Sequence, residues 1–339
     1  MVRVQAVKML CLVGLSSALG CQSEPTGGGG GTGYSTQAEV GEAGIASETS
    51  EASGGQAQDG TGGDEPKLDL PTGGSAEEGG SGCEKVDFLF VIDNSESMED
   101  DQLRLLEAFP GFIQAIEESI QAQDYHIGVV TSDDHVYDYD TYYDGQPSDE
   151  CDVMGGLVTE NWDYADNVQR ECGPFVSGGN YLSEDEPNLT EAFECIAFVD
   201  DEGSTDEAPM AAIMAALQAP AIPCNDGFLR KDALLVIVLI TDEDDDVEVM
   251  GNPGSGGTPQ QWYDAVIAAK QGTVENAAVL ALAGAPSCPY EHTVRIEEWV
   301  NLFGERGFFG PVCEDDYAGF FAQSVMVVDE ACDNFVNVP

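Results

Sequence analysis

The stretch from Val86 to Met98 reads Val-Asp-Phe-Leu-Phe-Val-Ile-Asp-Asn-Ser-Glu-Ser-Met and decides the fold class. Its continuous apolar run, Phe88 to Ile92, is typical of a strand that is buried on both faces of a parallel sheet. Three alternate oxygen-bearing residues, Asp93, Ser95 and Ser97, follow at the carboxyl end of this strand. Open α/β sheets bind their ligands at that edge. The stretch therefore predicts a buried strand that ends in a binding loop.

Strands and helices alternate along the rest of the folded region. Apolar runs predict further strands at 127–131, at 233–240, at 277–283 and near Phe308. Apolar residues spaced by three and four predict a helix at 99–122. We expect further helices at 189–199, 209–217, 259–271, 293–303 and 315–328. Right-handed βαβ units of this kind build a Rossmann-like α/β fold, with a mostly parallel central sheet and helices on both faces.

Two features depart from this regular alternation. Pro110 lies inside the first helical pattern and predicts a kink or a fresh helical start. Residues 132–187 contain many Asp, Tyr and Gly residues and two cysteines, without helical or strand periodicity. We interpret them as an irregular, disulfide-bearing insertion at the ligand edge, and we expect a short antiparallel edge strand within it.

The first 82 residues are not part of the predicted fold. Residues 1–20 have a basic start, an apolar run and small residues before Cys21, as in a secretory signal peptide. Ala-Leu-Gly-Cys at 18–21 resembles the lipobox of bacterial lipoproteins, which implies that Cys21 is lipidated; the alternative is a plain signal peptide. Residues 21–82 are rich in Gly, Ser, Thr and Glu and predict a disordered acidic tether.

This organisation predicts an exported protein whose folded domain spans residues 83–339. We expect it in the cell envelope, as an outer-membrane lipoprotein, or otherwise secreted. No other stretch approaches the roughly 20 apolar residues of a membrane span. The expected contact with a membrane is therefore made only through the lipid anchor.

The chain is extremely acidic, with a formal net charge of −53. From Cys83 onward it has 53 acidic residues against eight basic ones, so the charge belongs mainly to the folded region. Such a surface repels the phosphates of nucleic acid, which excludes nucleic acid as a partner. Cations, basic partners and a salty habitat all remain compatible with it.

Eight cysteines lie in the folded region, an even number that indicates four disulfides in an exported chain. They are Cys83, Cys151, Cys172, Cys195, Cys224, Cys288, Cys313 and Cys332. Their placement suggests a Cys83–Cys332 bridge that brackets the domain and a Cys151–Cys172 bridge within the insertion. A zinc site is not expected, because there is no Cys-x-x-Cys motif and the histidines are scattered.

Asp-x-Ser-x-Ser after a buried first strand resembles the metal-ion-dependent adhesion site of von Willebrand factor A (vWA) domains. That family pattern adds a Thr before a middle helix and an Asp after the fourth strand. Here these parts match Thr205, in Gly-Ser-Thr-Asp, and Asp242, in Leu-Ile-Thr-Asp. The resemblance implies a divalent cation held by Asp93, Ser95, Ser97, Thr205 and Asp242, Mg²⁺ in first place with Mn²⁺ or Ca²⁺ as alternatives.

A hard cation takes oxygen ligands, and a site with few carboxylates leaves the ion some positive character. Such an ion can accept one more anionic ligand from a partner. The resembled family uses its site in this way for adhesion or assembly, usually without catalysis. We therefore expect a protein ligand at the metal and no enzymatic activity.

Structural roles compete with this interpretation residue by residue. Ser97 with Asp100 matches a helix capping box, Thr205 suits a helix N-cap, and Asp242 suits a turn. The five residues together favour a metal. Further acids on the same edge, Asp133, Asp134, Glu243 and Asp244, would form either a second cation site, plausible for Ca²⁺, or a solvated acidic rim, which is the commoner role of such charge runs.

Two other classes of function compete with the binding module. A metal-dependent hydrolase would need a general base or nucleophile beside the ion, and the sequence lacks Gly-x-Ser-x-Gly, His-Glu-x-x-His and a phosphate loop. A structural surface protein would carry the metal site unused. Its partner binding and stability would then be insensitive to divalent ions.

Overall fold

The computed structural model describes most of the folded region. The described residues are 82–119, 124–132, 151, 153–163, 168–199, 207–218, 222–245, 254–289 and 292–338. The expected signal peptide, the lipid site Cys21, the tether up to residue 81, and the candidate site residues Asp133, Asp134 and Thr205 lie outside them. What the sequence predicts for these residues stays a prediction.

The described residues form eight strands and six α-helices, joined by short 3₁₀ turns. The strands are β1 (Lys85–Ile92), β2 (Asp124–Thr131), β3 (Glu160–Asp163), β4 (Val168–Glu171), β5 (Leu182–Ser183), β6 (Leu234–Thr241), β7 (Ala277–Ala283) and β8 (Gly307–Pro311). The helices are α1 (Glu99–Ser119), α2 (Leu189–Ala197), α3 (Pro209–Leu217), α4 (Pro259–Ala269), α5 (Val294–Asn301) and α6 (Ala318–Asp333).

Six strands make one sheet in the order β5-β2-β1-β6-β7-β8. All neighbours in it are parallel except β5, which runs antiparallel to β2 through Leu182 and Ser183. The predicted antiparallel edge strand within the insertion is thus confirmed. The insertion also contains a separate hairpin, β3 with β4, that the sequence did not predict.

Alternate residues of β1 point to opposite faces of the sheet, as the pleat of a strand requires. Phe88 and Phe90 face a core closed by α1, α2 and α6, where Phe90 contacts Phe193 of α2 edge to face. Leu89 and Val91 face a second core closed by α3, α4 and α5. Because both faces are covered, the central strands β1, β6 and β7 are buried almost throughout, and this explains why they appear in the sequence as unbroken apolar runs.

Helix α1 runs without a break through Pro110. The expected fresh helical start at this residue is therefore wrong. Pro110 lies on the exposed side of the helix, while its neighbours Phe109 and Phe112 are buried against the sheet. Packing of the apolar face holds the two halves in one helix despite the missing backbone N–H of proline.

Four disulfides close the domain, as the even cysteine count predicted: Cys83–Cys332, Cys151–Cys224, Cys172–Cys195 and Cys288–Cys313. The bracketing pair Cys83–Cys332 is confirmed. The expected Cys151–Cys172 pair is wrong, because Cys172 follows β4 beside α2 and bonds to Cys195 on that helix. Cys151 instead reaches Cys224 in the turn Pro223–Asn225, so both bridges tie the insertion to the main fold.

The architecture is the predicted one: a mostly parallel central sheet with helices on both faces and an irregular disulfide-bearing insertion. Four disulfides are typical of a protein that is exported to an oxidising compartment. In the described part of the chain, no helix has both the length and the apolarity needed to cross a lipid bilayer.

Candidate metal site

Two central strands carry the candidate site at their carboxyl ends. Strands β1 and β6 are parallel neighbours, and the backbone N–H of Asp93 donates to Ile240 O at 3.0 Å, so the pairing continues to the last residue before the loop. Asp93 therefore lies beside Thr241 and Asp242. This register brings together residues that are almost 150 positions apart in the chain.

Four of the five predicted ligands meet there. Ser95 Oγ and Ser97 Oγ are 3.1 Å apart, and Ser97 Oγ donates to Asp242 Oδ1 at 3.1 Å. Asp93 Oδ1 accepts the backbone N–H of Ser95 at 2.8 Å. The fifth, Thr205, lies outside the described residues.

Neighbouring elements hold the loop after β1 in place. Gln102, in α1, donates its Nε2 to Asp93 O at 3.2 Å, and the buried side chain of Met98 anchors the following turn in the core. At the end of β2, Ser132 Oγ donates to Asn94 Oδ1 at 3.3 Å. The loop is thus fixed from α1 and from β2, as a preorganised ligand set requires.

The sequence did not single out Thr241 as a site residue. Its hydroxyl donates to Asp93 Oδ2 at 2.6 Å and so fixes the orientation of that carboxylate. Thr241 directly precedes Asp242, and its position as the last residue of a buried strand, beside the predicted ligand, was the available signal.

Burial raises the pKa of both carboxyl groups at this edge. The side chains of Asp93 and Asp242 are 0% and 3% exposed. Desolvation raises the pKa of Asp93 to about 7, opposed by hydrogen bonds from Thr241 and Ser95, and the nearby charge of Asp242 raises it further. Desolvation also raises the pKa of Asp242, opposed by the hydrogen bond from Ser97.

Neither carboxylate has a basic partner among the described residues, which include all eight Lys and Arg residues beyond Cys83. Six of these eight residues form ion pairs or hydrogen bonds with other groups of the chain: Lys85, Arg104, Arg230, Lys270, Arg295 and Arg306. A pair of buried acids with no internal cation is neutralised either by taking up a proton or by a positive charge from outside.

The oxygen spacing suits a small divalent cation. Mg²⁺ binds oxygens at about 2.1 Å in octahedral geometry, so adjacent ligands lie about 3 Å apart. The gaps of 3.1 Å from Ser95 Oγ to Ser97 Oγ and from Ser97 Oγ to Asp242 Oδ1 match that value. Ser97 is exposed, so the group is open to solvent on one side. The donor set therefore fits a hard cation with room for water or a partner's oxygen.

This set depends on hydroxyl groups as much as on carboxylates. Within the described ranges, no three or more His, Cys, Asp or Glu side chains cluster closely enough to share a metal ion. The described donors at this edge are two carboxylates and two hydroxyls.

The acids after Asp242 have partners of their own. Asp244 accepts the backbone N–H groups of Arg295, at 3.0 Å, and Ile296, at 3.3 Å, and so caps the first turn of α5. The backbone of Glu243 exchanges hydrogen bonds with the Thr241 hydroxyl. A second cation at Glu243 and Asp244, and likewise at Asp133 and Asp134 outside the described ranges, stays a prediction.

Comparison with known proteins gave matches only among solved structures; neither the family models nor the curated proteins matched. Proximal thread matrix protein 1 from the mussel byssus has a TM-score of 0.39 and 11% identity, over 74% of this chain and 49% of that one. A structure of the same mussel protein with a zinc-occupied metal-ion-dependent adhesion site (MIDAS) motif has a TM-score of 0.39 and 12% identity, over 73% of this chain and 48% of that one.

The manganese-loaded TRAP protein of Plasmodium vivax has a TM-score of 0.33 and 11% identity, over 75% of this chain and 76% of that one. The present chain spans about half the length of the mussel protein.

Proposed function

We propose that this chain is an exported, vWA-like binding protein that holds a protein partner through a divalent cation at Asp93, Ser95, Ser97, Thr205 and Asp242. One observation carries the proposal: Ser97 Oγ lies 3.1 Å from both Ser95 Oγ and Asp242 Oδ1, next to the buried carboxylate of Asp93, and among the described residues neither carboxylate has a basic partner. We infer Mg²⁺ as the resident ion, with Mn²⁺ or Ca²⁺ as alternatives.

The bound ion would supply a Lewis-acidic position for an anionic group of the partner. Asp93 and Asp242 bring two negative charges, which offset but do not exceed the charge of a divalent ion. The exposed Ser97 lies on the open side, where a carboxylate from a partner would complete the coordination. Without the ion, the acidic surface would repel the same carboxylate. Binding is therefore conditional on the metal, and the role is adhesion or assembly rather than catalysis.

The position of the site within the sheet suits a tethered protein. The chain enters the described fold at Gly82, next to the amino end of β1, whereas Asp93 follows the carboxyl end of the same strand. Eight strand residues separate the two ends by about 26 Å. If Cys21 carries a lipid, the tether enters the domain at the edge opposite the site and leaves the site free for a partner.

Calorimetric titration of the mature full-length chain with Mg²⁺, Mn²⁺ and Ca²⁺ tests the proposal. We expect one site in the wild type and none in Asp93→Ala. Asp264→Ala is the matched control, because it removes one carboxylate from the exposed side of α4 and leaves the site intact. Equal affinities for the wild type and Asp93→Ala would exclude this site.

The same protein samples distinguish the competing functions. A pull-down from envelope extract in Mg²⁺ and then in chelator should release the partner if the ion bridges the two proteins. A structural protein with an unused site would retain its partner and its stability in chelator. Metal-stimulated turnover of esters or phosphates, lost in Asp242→Ala, would favour the hydrolase.

A further inference from the structure

Strand β8 forms one edge of the six-stranded sheet. Its inner side pairs with β7, and in the described part of the chain no strand pairs with its outer side. This edge is separate from the cation site, since β7 lies between β8 and β6. An unpaired edge presents backbone N–H and C=O groups, to which an extended chain can add as a further strand.

The register between β7 and β8 shows which backbone groups of β8 face inward. The N–H of Val312 donates to Ala283 O at 3.0 Å. Because inward and outward residues alternate along a strand of a parallel ladder, Phe308 and Gly310 also direct their backbone groups to β7. The residues that alternate with them direct theirs to the open side.

The outward-facing residues are Gly307, Phe309 and Pro311. The N–H of Gly307 donates within its own turn, to Gly304 O. Pro311 has no N–H, and proline is tolerated in a strand where that group would face away from the ladder. A pairing strand therefore finds one donor, the N–H of Phe309, and the carbonyls of all three residues. Within the described ranges, no other backbone group bonds to the N–H or the carbonyl of Phe309.

The two aromatic side chains of β8 are incompletely covered. Phe308 stacks on Phe320 of α6 with ring centres 5.0 Å apart, and Phe309 packs against the second core, on the other face. Both are only partly buried, whereas their neighbours on β7, Leu280 and Ala281, are 0% exposed. A strand added at this edge would cover apolar surface on both faces of the sheet.

Acidic residues flank this edge at both ends. The exposed Glu305 lies two residues before β8. Three exposed acids follow the strand: Glu314, Asp315 and Asp316. The base in this segment, Arg306, is turned inward, since its guanidinium donates to Val274 O and, at 3.2 Å, to Ala277 O. A strand with basic residues at both ends complements this charge pattern.

We propose that the outer side of β8 is a docking edge for an extended, basic segment of a protein partner, which adds to the sheet as a further strand. Its central residues are β-branched or apolar and cover the two phenylalanines, and its ends carry Lys or Arg. A second copy of this chain does not fit, because antiparallel pairing of two β8 strands about Phe309 sets Glu305 opposite residue 313 and beside Glu314 of the other copy. The docking edge goes beyond the cation-dependent function and does not require the ion.

The probe is the synthetic peptide Lys-Lys-Val-Thr-Val-Thr-Val-Lys-Lys, titrated into the full-length chain in chelator. Amide hydrogen exchange, followed by NMR, reports the pairing. In the free protein the outward amide of Phe309 should exchange fast and the inward amide of Gly310 slowly. Saturating peptide should slow exchange at Phe309 by at least about 10-fold and leave Gly310 unchanged.

Three results of this titration would overturn the docking edge. They are a Phe309 amide that is already protected in the free monomer, one that stays unprotected at saturation, and no binding at about 1 mM peptide. Because the ion is absent throughout, a failure of the cation site leaves this test unaffected.

Neutralisation of the flanking acids tests the charge pattern. Glu305→Gln combined with Glu314→Gln and Asp315→Asn should weaken peptide binding by about 3-fold to 30-fold, because three exposed charges each contribute a small factor. Asp316 stays unchanged, because it accepts the backbone N–H of Ala318 and caps α6. The control neutralises three exposed acids near β5, at the opposite edge of the sheet: Glu184, Glu191 and Glu194. The control should bind as the wild type does, and equal affinities of the two triple variants would overturn the charge complementarity.

Modified peptides and the oligomeric state separate the other occupants. N-methylation of the five central residues keeps the charge of the peptide and removes its backbone donors, so protection of Phe309 should be lost. Glutamate in place of every lysine should prevent binding. Undiminished binding of either peptide would contradict strand addition by a basic segment. A dimer in sedimentation equilibrium, with Phe309 protected in the absence of peptide, would make a second copy the occupant and overturn the proposal.

Discussion

Strand β1 carries two buried aspartates, one at each end, and the chain treats them in opposite ways. Asp87, near the amino end, accepts the backbone N–H of Arg230 at 2.6 Å and its Nε at 2.7 Å. Asp93, past the carboxyl end, has only hydroxyl and backbone partners among the described residues and lies near a second acid, Asp242. Both side chains are 0% exposed. In the described part of the chain, one end of the sheet is neutralised by an internal base, and the other end has no basic partner.

The amino end is a closed ionic network. The guanidinium of Arg230 also contacts the carboxylate of Asp124 and donates to Val86 O at 3.1 Å, and the buried Lys270 donates to Arg230 O at 2.6 Å. Every group there has a partner from the chain itself. This difference teaches that burial of an acid alone does not single out a candidate binding site; burial without an internal counterion is the feature that distinguishes Asp93 from Asp87.

Removal of the internal counterion should have the largest effect. Arg230→Met leaves Asp87 and the half-buried Asp124 without their cation, and we expect it to lower the free energy of unfolding by about 3–5 kcal/mol. Urea denaturation followed by circular dichroism measures the change. The exposed neighbour provides the control, since Lys231→Met should change stability by less than about 0.5 kcal/mol. A small effect of Arg230→Met would show that this base does not stabilise the amino end of the sheet, so that the two ends of β1 do not differ in internal neutralisation.

Charge removal at the two aspartates sharpens the comparison. Asp87→Asn must turn its NH₂ toward an N–H of Arg230, so we expect a loss of about 1–3 kcal/mol. In Asp93→Asn, the hydroxyl of Thr241 can rotate and accept a hydrogen bond from the new amide NH₂. In chelator we therefore expect no loss of stability.

Added metal should then stabilise the two aspartate variants by different amounts. At 100 times Kd, Mg²⁺ should stabilise the wild type and Asp87→Asn by about 2.7 kcal/mol and leave Asp93→Asn unchanged. Thermal melts with and without the ion measure this. Equal stabilisation of all three proteins would place the ion elsewhere.

The pH dependence of the metal-free protein should show a smaller effect. Burial raises the pKa of Asp87 and of Asp245 to about 6. Between roughly pH 4 and 6 the folded state holds these protons more tightly than the unfolded chain. The free energy of unfolding should therefore rise as the pH falls from 7 to 5, by about 1 kcal/mol per group. Denaturation in chelator at each pH measures the rise, which should be smaller in Asp245→Asn; a fall in stability over this range would contradict it.

The central fold could be predicted because its strands are buried on both faces. The run Ala277–Ala283 was predicted with its observed limits, and the helix Pro209–Leu217 likewise. The hairpin of β3 and β4 was missed because Glu160–Asp163 and Val168–Glu171 contain mostly polar residues and no apolar alternation. Strands that lie outside the main sheet leave no such pattern.

Long-range partners could be predicted only where the chain order constrained them. Cys83 and Cys332 bracket the domain and were paired correctly, whereas Cys151 and Cys172 are close in sequence but bond to different elements. A disulfide depends on the distance between Cα atoms in the fold, which neighbours in sequence need not satisfy.

The candidate site could likewise be predicted only in part. The spacing of Asp93, Ser95 and Ser97 and the strand before Asp242 predicted the four residues that the structure brings together. The burial of Asp245 could not be predicted, because an acid within an acidic run has the pattern of a surface residue. Its partners are backbone N–H groups of another element, and such groups carry no sequence signal.

The Cys83–Cys332 bridge has a mechanical consequence. Cys83 lies just before the central strand β1, and Cys332 lies in the last turns of α6. A pull transmitted along the preceding chain reaches a covalent bond to α6 before it loads the hydrogen bonds of β1. The domain therefore cannot be peeled open from its amino terminus while this bridge is intact, and tension is shared between the first strand and the last helix.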